Sequence, residues 1–184
     1  MNFETFLIRL KEARDFSRIE NAYSHIIYDI FNLTLDTSKY ILIDTSTYKR
    51  TDENTDALVP KDAIAVPDFV IGNRAKNIDD IERKGCIEAK YFDFDIIKAD
   101  KLSDDKDRLN DHYREGMQRR GYMNLYQNVV YTNGWIWRFI TRSSSEIKEF
   151  DFTDKNNQTN SYYGIFLEYL FSFNWDISEE VVIE

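Results

Sequence analysis

AIAVPDFVIGNRAKNIDDIERKGCIEAK, residues 63 to 90, holds two apolar runs, each with charged side chains where hydrocarbon would pack better. The first carries Asp68 directly after Pro67, and the second closes on Glu88-Ala89-Lys90. β-Branched and aromatic residues dominate Ile64 to Ile71 and return from Gly85 to Tyr91, so the stretch predicts two strands joined by the polar connection GNRAKNIDDIERK. Alternate side chains of a strand share a face, which sends Glu88 and Lys90 one way and Ile87, Ala89 and Tyr91 the other. On the neighbouring strand Asp68 is placed to lie opposite them, with Val66 and Val70 as same-face neighbours.

Three polar groups then converge. Two carboxylates held close repel each other unless a proton or a cation lies between them. A divalent ion that takes few oxygen ligands and keeps several waters, as magnesium does, removes the conflict. Lys90 beside such an ion is placed to orient or activate water and to offset charge on a phosphoryl oxygen. An acidic residue, any residue, then lysine is in itself a common pattern, and it recurs at Glu82-Arg83-Lys84, Asp104-Asp105-Lys106 and Glu146-Ile147-Lys148. Context separates the triplets, since only Glu88-Ala89-Lys90 ends an apolar run that follows a Pro-Asp.

Outward from this stretch, apolar residues at helical spacing occupy Phe6, Leu7 and Leu10, then Ile19, Tyr23, Ile26, Ile27, Ile30 and Phe31. They predict a short helix, a break near residues 14 to 17 with Asp15 or Ser17 as caps, and a longer helix over about 18 to 32. A short strand is expected at Tyr40 to Ile43, and the polar stretch 44 to 62 reads as a surface loop or ragged hairpin. Residues 104 to 127 read as a helix despite Gly116 and Gly121. In NVVYTNGWIWRFI, Asn133-Gly134 between two β-type runs predicts a hairpin. A strand from Ile147 to Phe152, a KNNQTNS loop and a helical segment over about 161 to 173 complete an α/β chain with a mixed, antiparallel-containing central sheet flanked by helices.

At 184 residues and 42% hydrophobic, the chain supports one core and one domain over 1–184. The single cysteine, Cys86, excludes an internal disulfide and reads as a small buried residue in a reducing compartment. The amino-terminal stretch MNFETFLIRLKEARDF is charged throughout, unlike a signal peptide, and no window is apolar enough to span a bilayer, so a soluble cytoplasmic protein is expected. A formal net charge of -9 opposes strong nucleic-acid binding by the chain alone. It leaves a non-nucleic-acid partner, delivery to nucleic acid by another module, or a small site where carboxylates and a cation dominate.

Asp68 in VPDFVI, nineteen intervening residues, then Glu88-x-Lys90, resembles the signature of the restriction-endonuclease-like superfamily. Gln118 and Tyr122, four apart on one helical face, resemble the Gln-x-x-x-Tyr motif of the nuclease domains of type I and type IIG restriction enzymes, and the TNG of Thr132 to Gly134 is similar to the hairpin that follows that helix in them. Glu20 stands where the family often adds an acidic residue, with Glu12 as the alternative, and Asp44, Asp93 and Asp95 lie close enough to the motifs to compete. The motif core runs from about residue 18 to 140.

The resemblance implies a restriction-endonuclease-like core and a magnesium-dependent DNA endonuclease, with manganese able to substitute. It implies that Asp68, Glu88 and the Ala89 carbonyl ligate the ion, Lys90 assists the nucleophile, Glu20 serves a second ion or its water, and Gln118 and Tyr122 support the site. His25 and His112 lie in helices without partner motifs and are not expected to act as bases. Arg114, Arg119 and Arg120, with Arg108, form a small basic patch interleaved with acids, and they are the expected contacts to double-stranded DNA. With so little positive charge, the resemblance implies one module of a larger restriction-modification protein, whose methyltransferase, specificity or motor domains supply the grip, with transient dimerisation for double-strand cleavage. The competing readings are a non-catalytic binding module of the same fold and a repair or junction-resolving nuclease.

Overall fold

The computed structural model describes residues 1–16, 21–47, 58–59, 65–92, 118, 121–142 and 147–176. The chain opens with α1 (Phe3–Phe16) and α2 (Asn21–Thr34), followed by β1 (Tyr40–Asp44), β2 (Phe69–Asn73) and β3 (Arg83–Ala89). A helix, α3, includes residues 118 and 121–125. Then come β4 (Asn128–Thr132), β5 (Ile136–Thr141), β6 (Ile147–Asp151) and α4 (Asn160–Ser172). The six strands form one sheet in chain order. Every neighbouring pair is antiparallel except β3 with β4, which run parallel.

Strand alternation divides the core in two. Phe69, Ile71, Ile87, Ala89 and Val130 face α1, α2 and α4 in one large cluster, whereas Val70, Cys86 and Val129 face Tyr122 and Tyr126 in a smaller one. Helical spacing explains the first layer: Phe6, Leu10 and Ala13 share one face of α1, and Tyr23, Ile26, Ile27, Ile30 and Phe31 share one face of α2. α4 begins at Thr159, whose side chain accepts from the Tyr162 N–H at 3.2 Å, and it presents Tyr163, Phe166 and Leu170 to the sheet. Aromatic rings fill this layer, as in the stacked Phe6–Tyr163 pair at 4.8 Å and the edge-on Phe150–Phe166 pair at 5.2 Å.

Several boundaries differ from those expected. α1 runs to Phe16, so Asp15 lies inside its last turn and pairs with Arg14 instead of capping a second helix; Ser17 and Ile19 lie outside the described residues. β2 starts at Phe69 and runs to Asn73, while residues 65–68 are not strand, because Pro67 has no N–H to give to a ladder. Of the helix expected over 104–127, residues 104–117 lie outside the described residues and Tyr126 and Gln127 are already non-helical. Within the stretch expected to be surface loop, Leu58 and Val59 are buried, and the Leu58 carbonyl accepts from the Tyr126 hydroxyl at 3.1 Å. The hairpin forms as expected but not with a turn that needs two left-handed residues. Gly134 alone has positive φ, 82°, and among the described residues no other amino acid does.

At the sheet end remote from Asp68, the Tyr40 hydroxyl donates to Asp176 at 2.7 Å and the Lys84 ammonium reaches the same carboxylate at 2.8 Å. Burial and this carboxylate push the Tyr40 phenol up to about 12. The Lys84 and Tyr40 hydrogen bonds hold Asp176 below the ordinary value of 3.8, so its contribution is present above that pH and is lost as pH falls through its lowered value. Asp176 is about half exposed, and Asp176→Asn is expected to cost no more than about 1 kcal/mol at neutral pH, a cost that disappears as pH falls through the lowered value. Urea denaturation of both proteins across that range measures the difference.

Candidate active site

The ladder between β2 and β3 stops at Phe69↔Ile87. Extending that register places Pro67 opposite Ala89, and the Ala89 N–H donates instead to Asp68 Oδ2 at 2.7 Å. The carboxylate therefore stands against the backbone between Glu88 and Lys90. Thr45, fully buried just beyond β1, secures the other side: its N–H donates to the Asp68 carbonyl at 2.9 Å and its hydroxyl to the Pro67 carbonyl at 2.5 Å. A ladder interrupted by proline becomes a fixed carboxylate mount.

Glu88 is the hub. Its Oε1 accepts from Lys90 Nζ at 2.7 Å and from Gln118 Nε2 at 2.9 Å, and its Oε2 accepts from the Tyr122 hydroxyl at 3.0 Å. Gln118 Nε2 also lies 2.6 Å from the Tyr122 oxygen, so the two α3 side chains brace each other as well as the carboxylate. Glu88 is only 5% exposed and Lys90 only 4%, which puts a full ion pair inside the protein. Such burial costs free energy and is tolerated only where further hydrogen bonds complete the pair.

The field of these groups is visible in their neighbours. Burial first, then the charge of Glu88, pushes the Tyr122 phenol far up, so it acts here as a neutral donor. The Cys86 thiol, fully buried, is likewise raised by burial, then by Glu88 and Asp68, and it is an unreactive packing residue as expected from its sequence setting.

The hairpin after α3 completes the frame. The Lys90 N–H donates to the Thr132 carbonyl at 2.7 Å, and Asn133 Nδ2 donates to the Phe92 carbonyl at 3.1 Å. Asn133 Oδ1 in turn accepts from the N–H groups of Trp135 (3.1 Å) and Ile136 (2.8 Å), and Thr132 Oγ1 accepts from the Gly134 N–H (2.9 Å). The TNG tripeptide thus turns the chain and grips the backbone two residues past Lys90.

Asp68, Glu88, Ala89, Lys90, Gln118 and Tyr122, six of the residues singled out in the sequence, are brought together at one end of β3. Glu20, Asp93, Asp95, His112, Arg108, Arg114, Arg119 and Arg120 lie outside the described residues. Glu12 and His25 are exposed on helices, and Asp44 is exposed and caps its own turn through the Ser46 N–H and hydroxyl.

Two carboxylates offer a purely oxygen donor set, in which Glu88 Oε1 already accepts from Lys90 and Gln118 and Oε2 from Tyr122. That chemistry suits magnesium with waters completing its shell. Among the described residues no group of three His, Cys, Asp or Glu side chains gathers to hold a metal. Thr45 is the positioning residue that sequence reasoning missed, since a lone threonine in a polar stretch carries no signal of its contacts. No helix among the described residues is long and apolar enough to cross a membrane. Comparisons with protein-family models, curated proteins and solved structures find no match to this chain.

Proposed function

We propose that the chain is the cleavage module of a restriction-modification enzyme, a magnesium-dependent endonuclease acting on double-stranded DNA in the cytoplasm. The observation that carries this reading is the convergence of Lys90, Gln118 and Tyr122 on Glu88, beside Asp68, on strands and a helix that the motif order anticipates. A buried charged cluster of this kind lowers stability compared with hydrocarbon, and chemistry is the reason to keep it.

In this reading Asp68 and Glu88, with the Ala89 carbonyl, hold the ion, and Glu20 is the candidate for a further acidic ligand. An ion held there would supply Lewis-acid polarisation of a phosphoryl oxygen and a more acidic water. Lys90 orients the attacking water and offsets charge that grows on the phosphate. Gln118 and Tyr122 fix the Glu88 carboxylate so that its direction survives when Lys90 turns toward substrate. With a net charge of -9 the module depends on methyltransferase, specificity or motor domains, on its own or a partner chain, for a firm hold on DNA. Cutting both strands calls for two such modules, hence a transient dimer.

The test is calorimetric titration of magnesium and manganese into the purified chain, Asp68→Ala and Glu88→Ala, paired with plasmid nicking at high protein concentration. Ion binding and nicking present in the parent chain and lost together in both variants are the expected result. Equal titrations for all three proteins with no nicking in manganese would refute the nuclease and leave a binding module of the same fold.

A further inference from the structure

Glu88 Oε1 is held by two donors at once, Lys90 Nζ at 2.7 Å and Gln118 Nε2 at 2.9 Å, while Oε2 accepts from the Tyr122 hydroxyl at 3.0 Å. A carboxylate oxygen has about two lone pairs, so Oε1 is full. Oε2 is directed at Tyr122, which is fully buried against Val70, Cys86 and Val129 of the sheet. One of the two donors must therefore leave before Oε1 takes a divalent ion, and the ammonium is the one that like charge drives off.

We propose that Lys90 gates the loading of the ion: its ammonium leaves Glu88 Oε1 when a divalent ion is bound, and the same movement frees it for the phosphate; this rests on the nuclease reading. The Lys90 N–H is tied to the Thr132 carbonyl at 2.7 Å, so the backbone stays in place and only the flexible four-carbon stem turns. Gln118 and the neutral Tyr122 phenol keep Glu88 oriented once the ammonium has gone. Asp68 and Glu88 together balance a divalent ion, so the ammonium, itself only 4% exposed, is required against Glu88 only until one is bound. Release of the lysine is thereby tied to the presence of the ion. A permanent ion pair and a gate share these contacts and differ in what an ion does to Lys90.

The test is amine labelling of the parent chain by reductive methylation, with and without magnesium at a concentration that calorimetry shows to be saturating, each lysine being read by mass spectrometry after digestion. Buried and paired, Lys90 is expected to label slowly without magnesium and several-fold faster with it. Lys84, whose side chain is 15% exposed and paired with Glu82 and Asp176 at the remote end of the sheet, is the internal control and should not change. Lys90→Met removes the ammonium but keeps an unbranched stem, and it is expected to bind magnesium at least about tenfold more tightly. Loss of a like charge contributes to that gain by itself, so the labelling of the parent chain decides, and it does so even if the variant folds poorly. A Lys90 rate unchanged by bound magnesium overturns the proposal, because the ion then enters with the pair intact; so does a folded Lys90→Met protein with the parent's affinity. A parent chain that binds neither magnesium nor manganese overturns the nuclease reading itself and this inference with it.

Discussion

Glu88→Ala is expected to lower the stability of the fold by about 3–5 kcal/mol, a fall of about 6–20 °C in melting temperature. The reason is the partner left behind. Lys90 is 4% exposed, and its ammonium 2.7 Å from Glu88 Oε1 would lose the carboxylate that offsets its burial. Tyr122 and Gln118 would lose their acceptor at the same time. The double variant Glu88→Leu, Lys90→Met removes both charges while keeping volume, and it is expected to recover most of the lost stability because hydrocarbon replaces an expensive pair. Metal binding and nicking should be absent from both. Thermal melts and urea titrations of the two proteins separate the cost of an orphaned charge from the cost of losing the chemistry. A Glu88→Ala protein as stable as the parent would mean that the pair is open to water in solution.

Gly134→Ala is expected to cost about 2–5 kcal/mol, in two parts. An alanine held at φ 82° costs about 1–2 kcal/mol for its handedness alone. The added methyl would also collide with the Tyr23 ring, which is fully buried on α2, and overpacking of this kind costs about 1–3 kcal/mol. In a Tyr23→Leu background the penalty should shrink toward the backbone part, and a double-mutant cycle by urea denaturation reads the coupling directly. Nicking should fall with Gly134→Ala even below the melting temperature, because the tripeptide that grips the Phe92 carbonyl has shifted. An equal penalty in both backgrounds would show that Tyr23 yields without cost.

The convergence at β3 was legible in the sequence because strand alternation is a rigid rule. Once Gly85 to Tyr91 reads as a strand, Glu88 and Lys90 must share a face, and they do. The spacing of Gln118 and Tyr122 worked in the same way on a helix. What escaped notice depends on distant partners. Thr45 matters because the chain after β1 returns to Pro67 and Asp68, and Leu58 and Val59 matter because Tyr122 and Tyr126 stand over them. Neither relation is written in local composition. The apolar run continues across Pro67, yet the strand begins only at Phe69 because proline has no N–H to give to a ladder; beyond that boundary the Pro67 carbonyl is taken by the Thr45 hydroxyl and the Ala89 N–H donates to the Asp68 side chain. Asp15 looked like a cap because it is a common capping type, yet α1 continues through it on the strength of its apolar face.

The parallel pairing of β3 with β4, the only one among the described residues, also bears on the order in which the molecule matures. The hairpin of β4 and β5 and the meander of β1 to β3 close over short stretches of sequence, apart from the long connection between β1 and β2. A parallel pair cannot close through a tight turn. Here Ala89 must find Thr132 across the intervening chain, and that chain contains Gln118 and Tyr122. Loop closure over such a separation is slow, so the two halves of the Glu88 network are expected to meet late in folding. A nascent or partly folded chain would then carry Asp68, Glu88 and Lys90 together on the β2–β3 hairpin but without Gln118 and Tyr122 behind Glu88, and the braced carboxylate would arrive only with the finished sheet.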